Sequence, residues 1–195
     1  MPRQPDPELE DRILQAARKL VDKGSGRALT MRAVARAAGT NTPAVYRRFR
    51  DRRAILRGLL LRIRQEFVDL LEKAPSPESA CEAYLEFAVS HPNQYELFHQ
   101  FGHEFFHRSW SESGTSDSRP GVEAMKRKLA EKLGGASDNY TRLALALWAL
   151  AHGTALLYNA KTILPDLGNE MRGTFSVTVA LLIREAAVLV PNVKS

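Results

Sequence analysis

The chain has 195 residues, 44% hydrophobic and 26% charged, values that exclude wholesale disorder and leave enough chain for a sizeable core. One cysteine, Cys81, excludes an internal disulfide and a zinc-binding cysteine set. Net charge is +6 and uneven: residues 1–57 hold 14 Lys+Arg against 6 Asp+Glu, a net +8, whereas residues 58–195 hold 14 against 16, a net −2. That is the expected footprint of a phosphate-binding head on a neutral body, although a solvated basic face has the same composition. The N-terminus has no apolar run resembling a signal peptide, and the longest apolar run, residues 143–158, is shorter than a ~20-residue membrane span. A soluble, cytoplasmic protein that uses no membrane is expected.

The first helix is predicted to start after Asp6, with Pro7 at its first position, and to run along a stripe of Leu9, Ile13, Ala16, Ala17 and Leu20 to Gly24 as a C′ residue. Thr30 is the predicted N-cap of the second helix, with Leu29 stapling against Val34. Gly39 makes a turn, and Asn41 caps the third helix. There, Ala44, Val45 and Phe49 are the residues able to bury. Thr42, Pro43, Tyr46, Arg47 and Arg48 are left outside, so this helix buries little and displays tyrosine and arginine. The fourth helix starts at Asp51 and continues to about Leu71, with Arg52 and Arg53 in a first turn where the helix dipole disfavours cations.

Ser76-Pro77 starts a fifth helix that runs to about Ser90. A sixth spans about Asn93 to Arg108, and residues 109–121 read as a polar loop. A seventh runs from Val122 to Leu133 and stops at Gly134-Gly135. The eighth, from Ser137 to about Leu164, has two apolar faces: Leu143, Leu147, Leu150 and Leu157 oppose Leu145, Trp148, His152 and Leu156. The ninth, from about Asn169 to Val190, repeats this: Phe175, Val179, Leu182, Ala186 and Leu189 oppose Val177, Leu181 and Val188. One face of each packs inside the protomer and the other meets a second copy. The sequence predicts an all-α protein of about nine helices and no strand. Residues 1–57 are expected to form a three-helix helix-turn-helix head, and residues 58–195 a helical body that dimerises.

Residues 13–56 resemble the tetracycline-repressor (TetR) family of bacterial transcription regulators. The matching pattern is Ile13-Leu14-x-Ala16-Ala17, Thr30-x-x-x-Val34-Ala35-x-x-Ala38-Gly39, Val45-Tyr46-x-x-Phe49 and Arg52-x-x-x-Leu56. Trp148-x-x-x-His152-Gly153 resembles a C-terminal motif of one branch of that family. The resemblance implies all-α homodimers that bind a DNA operator, and implies phosphate contacts at Thr30, Tyr46 and Arg52, where lysine is usual. It places Thr42, Pro43, Ala44 and Arg47 at base edges or thymine methyls. Arg48 stands where histidine is frequent and remains a phosphate contact. The residue chemistry agrees, because arginine can pair bidentately with guanine.

His103-Glu104-Phe105-Phe106-His107 reads HExxH, the zinc-metalloprotease signature. His99 lies about 12 Å from His107 along the helix, too far to share one metal ion, and Trp110 and Ser113 break the extended pattern. A metal-dependent hydrolase is therefore the minor alternative, beside a helical interaction module that reads no sequence. The principal expectation is a regulator with no catalytic residue, no metal and no cofactor. It binds a near-palindromic operator as a homodimer through the eighth and ninth helices. The resemblance implies release by a ligand bound in the body, residues 58–195; the composition there suggests a small apolar or aromatic effector, lodged among Phe67, Tyr84, Phe98, Phe105, Trp148, His152 and Tyr158.

Overall fold

A computed structural model of the chain describes residues 8–24, 29–112, 120–163, 165–186 and 190; the side chains of residues 103–112 and 165 fall outside that description. Among the described residues the regular structure is helical throughout, with no strand. The α-helices are α1 (Leu9–Lys23), α2 (Met31–Ala37), α3 (Thr42–Arg48), α4 (Arg52–Lys73), α5 (Pro77–Ser90), α6 (Pro92–Glu112), α7 (Pro120–Leu133), α8 (Thr141–Asn159) and α9 (Gly168–Arg184).

Helix starts follow from local capping. The Thr30 hydroxyl accepts from the Ala33 N–H at 3.1 Å, Asn41 Oδ1 from Ala44 at 2.9 Å and Asp51 Oδ1 from Ala54 at 2.8 Å. Ser76 and Ser79 cap each other reciprocally at the start of α5. Helix ends depart further from expectation. Gly24 has φ 164°, extended rather than left-handed, and its N–H donates to Val21 O at 3.2 Å. The start expected at Asp6-Pro7 lies outside the described residues.

Helix α6 continues to Glu112, so the expected loop at 109–121 yields residues to α6 and α7; residues 113–119 lie outside the description. A 3-10 turn, Ser137–Tyr140, precedes α8, which stops at Asn159 rather than near Leu164. The stop is a Schellman motif: Lys161 N–H donates to Tyr158 O at 3.0 Å and Thr162 N–H to Leu157 O at 3.2 Å. Lys161 takes the left-handed conformation, φ 54°, that glycine usually fills here. Helix α9 ends at Arg184, short of the expected Val190.

The chain divides into two compact units, Met1–Gln65 with Asn93–Phe106, and Glu66–Pro92 with His107–Ser195; α4 and α6 contribute residues to both. In the N-terminal unit Ile13, Ala17, Val21, Leu29, Val34, Val45, Ile55, Leu56, Leu59, Leu60 and Ile63 are buried. Gly58 permits a close approach: a Cβ there would lie 3.1 Å from Leu14 Cδ2 and 3.4 Å from Phe49 Cε1. The first turn of α6 is bound to the end of α1. Asn93 donates to the Asp22 carbonyl at 2.9 Å, and the Gln94 amide donates to Asp22 Oδ1 at 2.7 Å with its side chain buried.

In the C-terminal unit, Leu71, Ala80, Leu85, Leu129, Tyr140, Leu143, Leu147, Ala151, Phe175, Val179 and Ile183 are buried. Two lysines of α7 lie inside it. Lys126 bonds Glu123 at 2.9 Å and Asp138 at 2.7 Å. Burial alone would lower its pKa, and these two carboxylates more than reverse the effect. Lys128 donates to the carbonyls of Glu72 and Ala74, closing the C-terminal end of α4. Cys81 on α5 is buried, and desolvation pushes its thiol up to about 12.

Helices α8 and α9 each bury one side and expose apolar residues on the other. Trp148, Leu156, Val177 and Leu181 are exposed, Val177 by 60%. Leu157, grouped in the sequence pattern with Leu143 and Leu147, which are buried, is itself exposed, and on α9 Ile183 is buried where Leu182 is half-buried. Leu189 and Val188 lie outside the described residues. No helix among the described residues is long and apolar enough to cross a membrane.

Candidate nucleic-acid interface

Two seven-residue helices, α2 and α3, are joined by a turn at Gly39, whose φ of 65° favours glycine. Thr40 N–H donates to Ala35 O at 3.0 Å and tightens the turn. Val45, fully buried, anchors α3, with Ala44 beside it and Phe49 buried just after. The opposite side exposes Pro43, Tyr46, Arg47 and Arg48, with Thr42 half-buried. Tyr46 is 54% exposed. A helix this short gains little from its own ladder of hydrogen bonds, so caps and the Val45 anchor hold it while its outer side stays open. The exposed combination can donate hydrogen bonds to phosphate oxygens and present a planar guanidinium to base edges.

Ala44 departs from the expected set of readers. It is only 5% exposed, because positions 44 and 45 both turn inward. Thr30 is exposed, with its hydroxyl oxygen engaged as the α2 cap. Arg52 is half-buried, and its Nε–H donates to the Leu29 carbonyl at 2.7 Å. This contact brings Arg52 next to the start of α2, which sequence reasoning missed. Arg32, Arg36, Arg50, Arg53 and Arg57 are also exposed in the same unit.

Four of the expected effector residues form a chain of contacts in the C-terminal unit. Phe67 meets Tyr84 edge-on with ring centroids 5.1 Å apart, Tyr84 Oη lies 3.5 Å from His152 Nδ1, and Trp148 stacks on His152 at 5.7 Å. Burial lowers the His152 pKa and favours the neutral ring. Phe87, not anticipated, joins through Phe67 at 5.3 Å and stacks on His91 at 5.0 Å. The Phe67–Phe87 approach links residues 20 apart on different helices, which no local spacing reveals.

Tyr158 and Phe98 make other contacts. Tyr158 donates its hydroxyl to Gly168 O at 2.6 Å, a bond that braces the α8–α9 connection. Phe98 lies edge-on to His99 in the N-terminal unit. The side chains of Phe105 and of His103, Glu104 and His107 fall outside the described residues. Among those described, no three His, Cys, Asp or Glu residues are grouped to hold a metal ion.

Residues 13–59 match the family model described as bacterial regulatory proteins, tetR family. Residues 78–182, more than half of the chain, match a second, tetracyclin repressor-like C-terminal domain. The chain belongs to the TetR family. Solved structures agree on the fold of this TetR-family regulator. A protein of unknown function from Rhodococcus sp. RHA1 superposes with TM-score 0.70 at 22% identity, over 94% of this chain and 98% of that one. The transcriptional regulator SCO7222, a TetR from Streptomyces coelicolor, gives 0.65 at 20%, over 93% and 99%. A TetR variant from Acinetobacter baumannii AYE in complex with minocycline gives 0.60 at 16%, over 92% and 97%. No curated protein sequence matches the chain significantly. The TetR-family fold is that of DNA-binding transcription regulation, which agrees with the exposed Tyr46, Arg47 and Arg48 of α3.

Proposed function

We propose that this TetR-family chain is a cytoplasmic one-component repressor that acts by binding rather than catalysis. Residues 1–57 serve as its DNA-binding head, and residues 58–195 as its effector and dimerisation domain. A homodimer presents two copies of α3 to major grooves about 34–36 Å apart, or at a related spacing, on a near-palindromic operator. Arg47, Thr42 and Pro43 read base edges and thymine methyls; Tyr46, Arg48 and Thr30 hold phosphates. The observation that carries this reading is α3 itself, which buries Ala44 and Val45 and leaves Tyr46, Arg47 and Arg48 outside.

The apolar outer sides of α8 and α9 form the contact between the two copies. A small aromatic effector lodges against Phe67, Tyr84, Trp148 and His152, as minocycline accompanies the Acinetobacter relative. Its binding shifts α4 and lowers operator affinity, which requires tighter binding to the non-DNA-binding state.

Selection of bound fragments from a random duplex pool tests the reading. A palindromic consensus is expected. A pool that emerges without any enriched sequence overturns it.

A further inference from the structure

Arg52 and Arg53 open α4, and the positive end of the helix dipole disfavours both. Arg53 is exposed, whereas Arg52 is half-buried with its Nε–H on the Leu29 oxygen at 2.7 Å, across 23 residues of sequence. Leu29 is buried and directly precedes Thr30, the residue that caps α2 through Ala33. One side chain thus ties the first residue of α4 to the start of α2. Since the tight Gly39 turn sets α3 relative to α2, fixing where α2 begins fixes where α3 points. The charge-assisted bond to the carbonyl also offsets the unfavourable dipole.

We infer that Arg52 is a positioning residue for the reading helix, acting through Leu29; this rests on the DNA-binding function proposed above. A phosphate contact at this position needs only a cation. The Leu29 bond needs a donor inside the side chain, held in the guanidinium plane, and lysine carries its donors only at the tip of a flexible, strongly hydrated stem. Arginine to lysine therefore separates the two roles.

The experiment compares wild-type, Arg52→Lys and Arg52→Gln full-length protein on the selected operator and on random duplex across a salt series. Arg52→Lys is expected to lose about tenfold in operator affinity, equivalent to ~1.4 kcal/mol. Its affinity for random duplex and its salt slope stay at the wild-type values, because the charge is kept. Wild-type behaviour of Arg52→Lys on both DNAs, with loss confined to Arg52→Gln, overturns the inference. So does an equal loss by Arg52→Lys on operator and random duplex. Absence of operator preference in the wild type would instead remove the DNA-reading function on which the inference stands. A measurement on the unaltered protein is independent of variant folding. The Arg52 Nε–H signal in free, nitrogen-15-labelled protein should exchange with water more slowly than that of exposed Arg57, and equal rates overturn the inference.

Discussion

The outward side of α3 carries Tyr46, Arg47 and Arg48, whereas α8 exposes Trp148 and Leu156, with no charged residue between Leu143 and Asn159. Both leave surface that their own unit does not cover, but water treats the two differently. Arginines are well hydrated, so α3 loses nothing by waiting for a polyanion. The apolar side of α8 stays unfavourable in water by roughly 25 cal/mol per Å² until another apolar surface covers it. The contrast separates two kinds of partner, one held by charge and released by salt, the other held by exclusion of water and nearly indifferent to salt.

The sharpest way to break this comparison is one substitution in the buried anchor beneath α3 and one on an exposed apolar side. Val45→Asp puts an unpaired charge where α3 is fully buried and should cost about 4–5 kcal/mol, unfolding the N-terminal unit. Val177→Asp, on the exposed side of α9, should leave helix content unchanged while converting dimer to monomer in sedimentation equilibrium. A monomeric wild type, or a Val177→Asp protein that stays dimeric, would detach the apolar side from self-association. Arg47→Ala should lose about 1–3 kcal/mol of operator affinity and relax preference at one base position. A uniform loss on every duplex would make Arg47 a phosphate contact.

Two smaller effects concern the body. Lys161→Gly should raise stability by about 0.5–1 kcal/mol, because glycine fills the left-handed position without steric penalty. A Tm at or below the wild-type value would refute this. The neutral His152 ring gives a pH signature. Its folded pKa lies below the ordinary 6.5, so the unfolded chain takes the proton first as pH falls. Stability is intact above that value and declines as pH drops through the folded pKa. Urea midpoints between about pH 7.5 and pH 5 should therefore fall less steeply in His152→Gln than in wild type; parallel slopes would contradict the burial of the ring.

What the sequence made legible was local. Thr30, Asn41, Asp51 and Ser76 each cap a helix within three residues, and each is found doing so. The division of α3 into inner and outer residues also follows from short-range spacing. Long-range bonds were illegible: Leu29 to Arg52, Asp22 to Gln94 and Phe67 to Phe87 join residues whose pairing depends on how helices pack. Lys126 and Lys128 show the same limit, since lysines on an amphipathic helix read as solvent-facing until their oxygen partners are seen. The left-handed Lys161 is a further case: its residue type argues against its backbone conformation, and the Schellman hydrogen bonds of α8 override it.

Buried Cys81 gives the C-terminal unit a built-in clock. With its thiol pushed up to about 12 and shut away on α5, it offers almost no thiolate to an alkylating reagent in the closed state. Labelling must wait for α5 to open, so the modification rate, set against that of a free model thiol, converts directly into an opening free energy. The same readout taken with candidate small molecules would rank them by how strongly they hold α5 closed, with neither DNA nor an introduced probe in the tube.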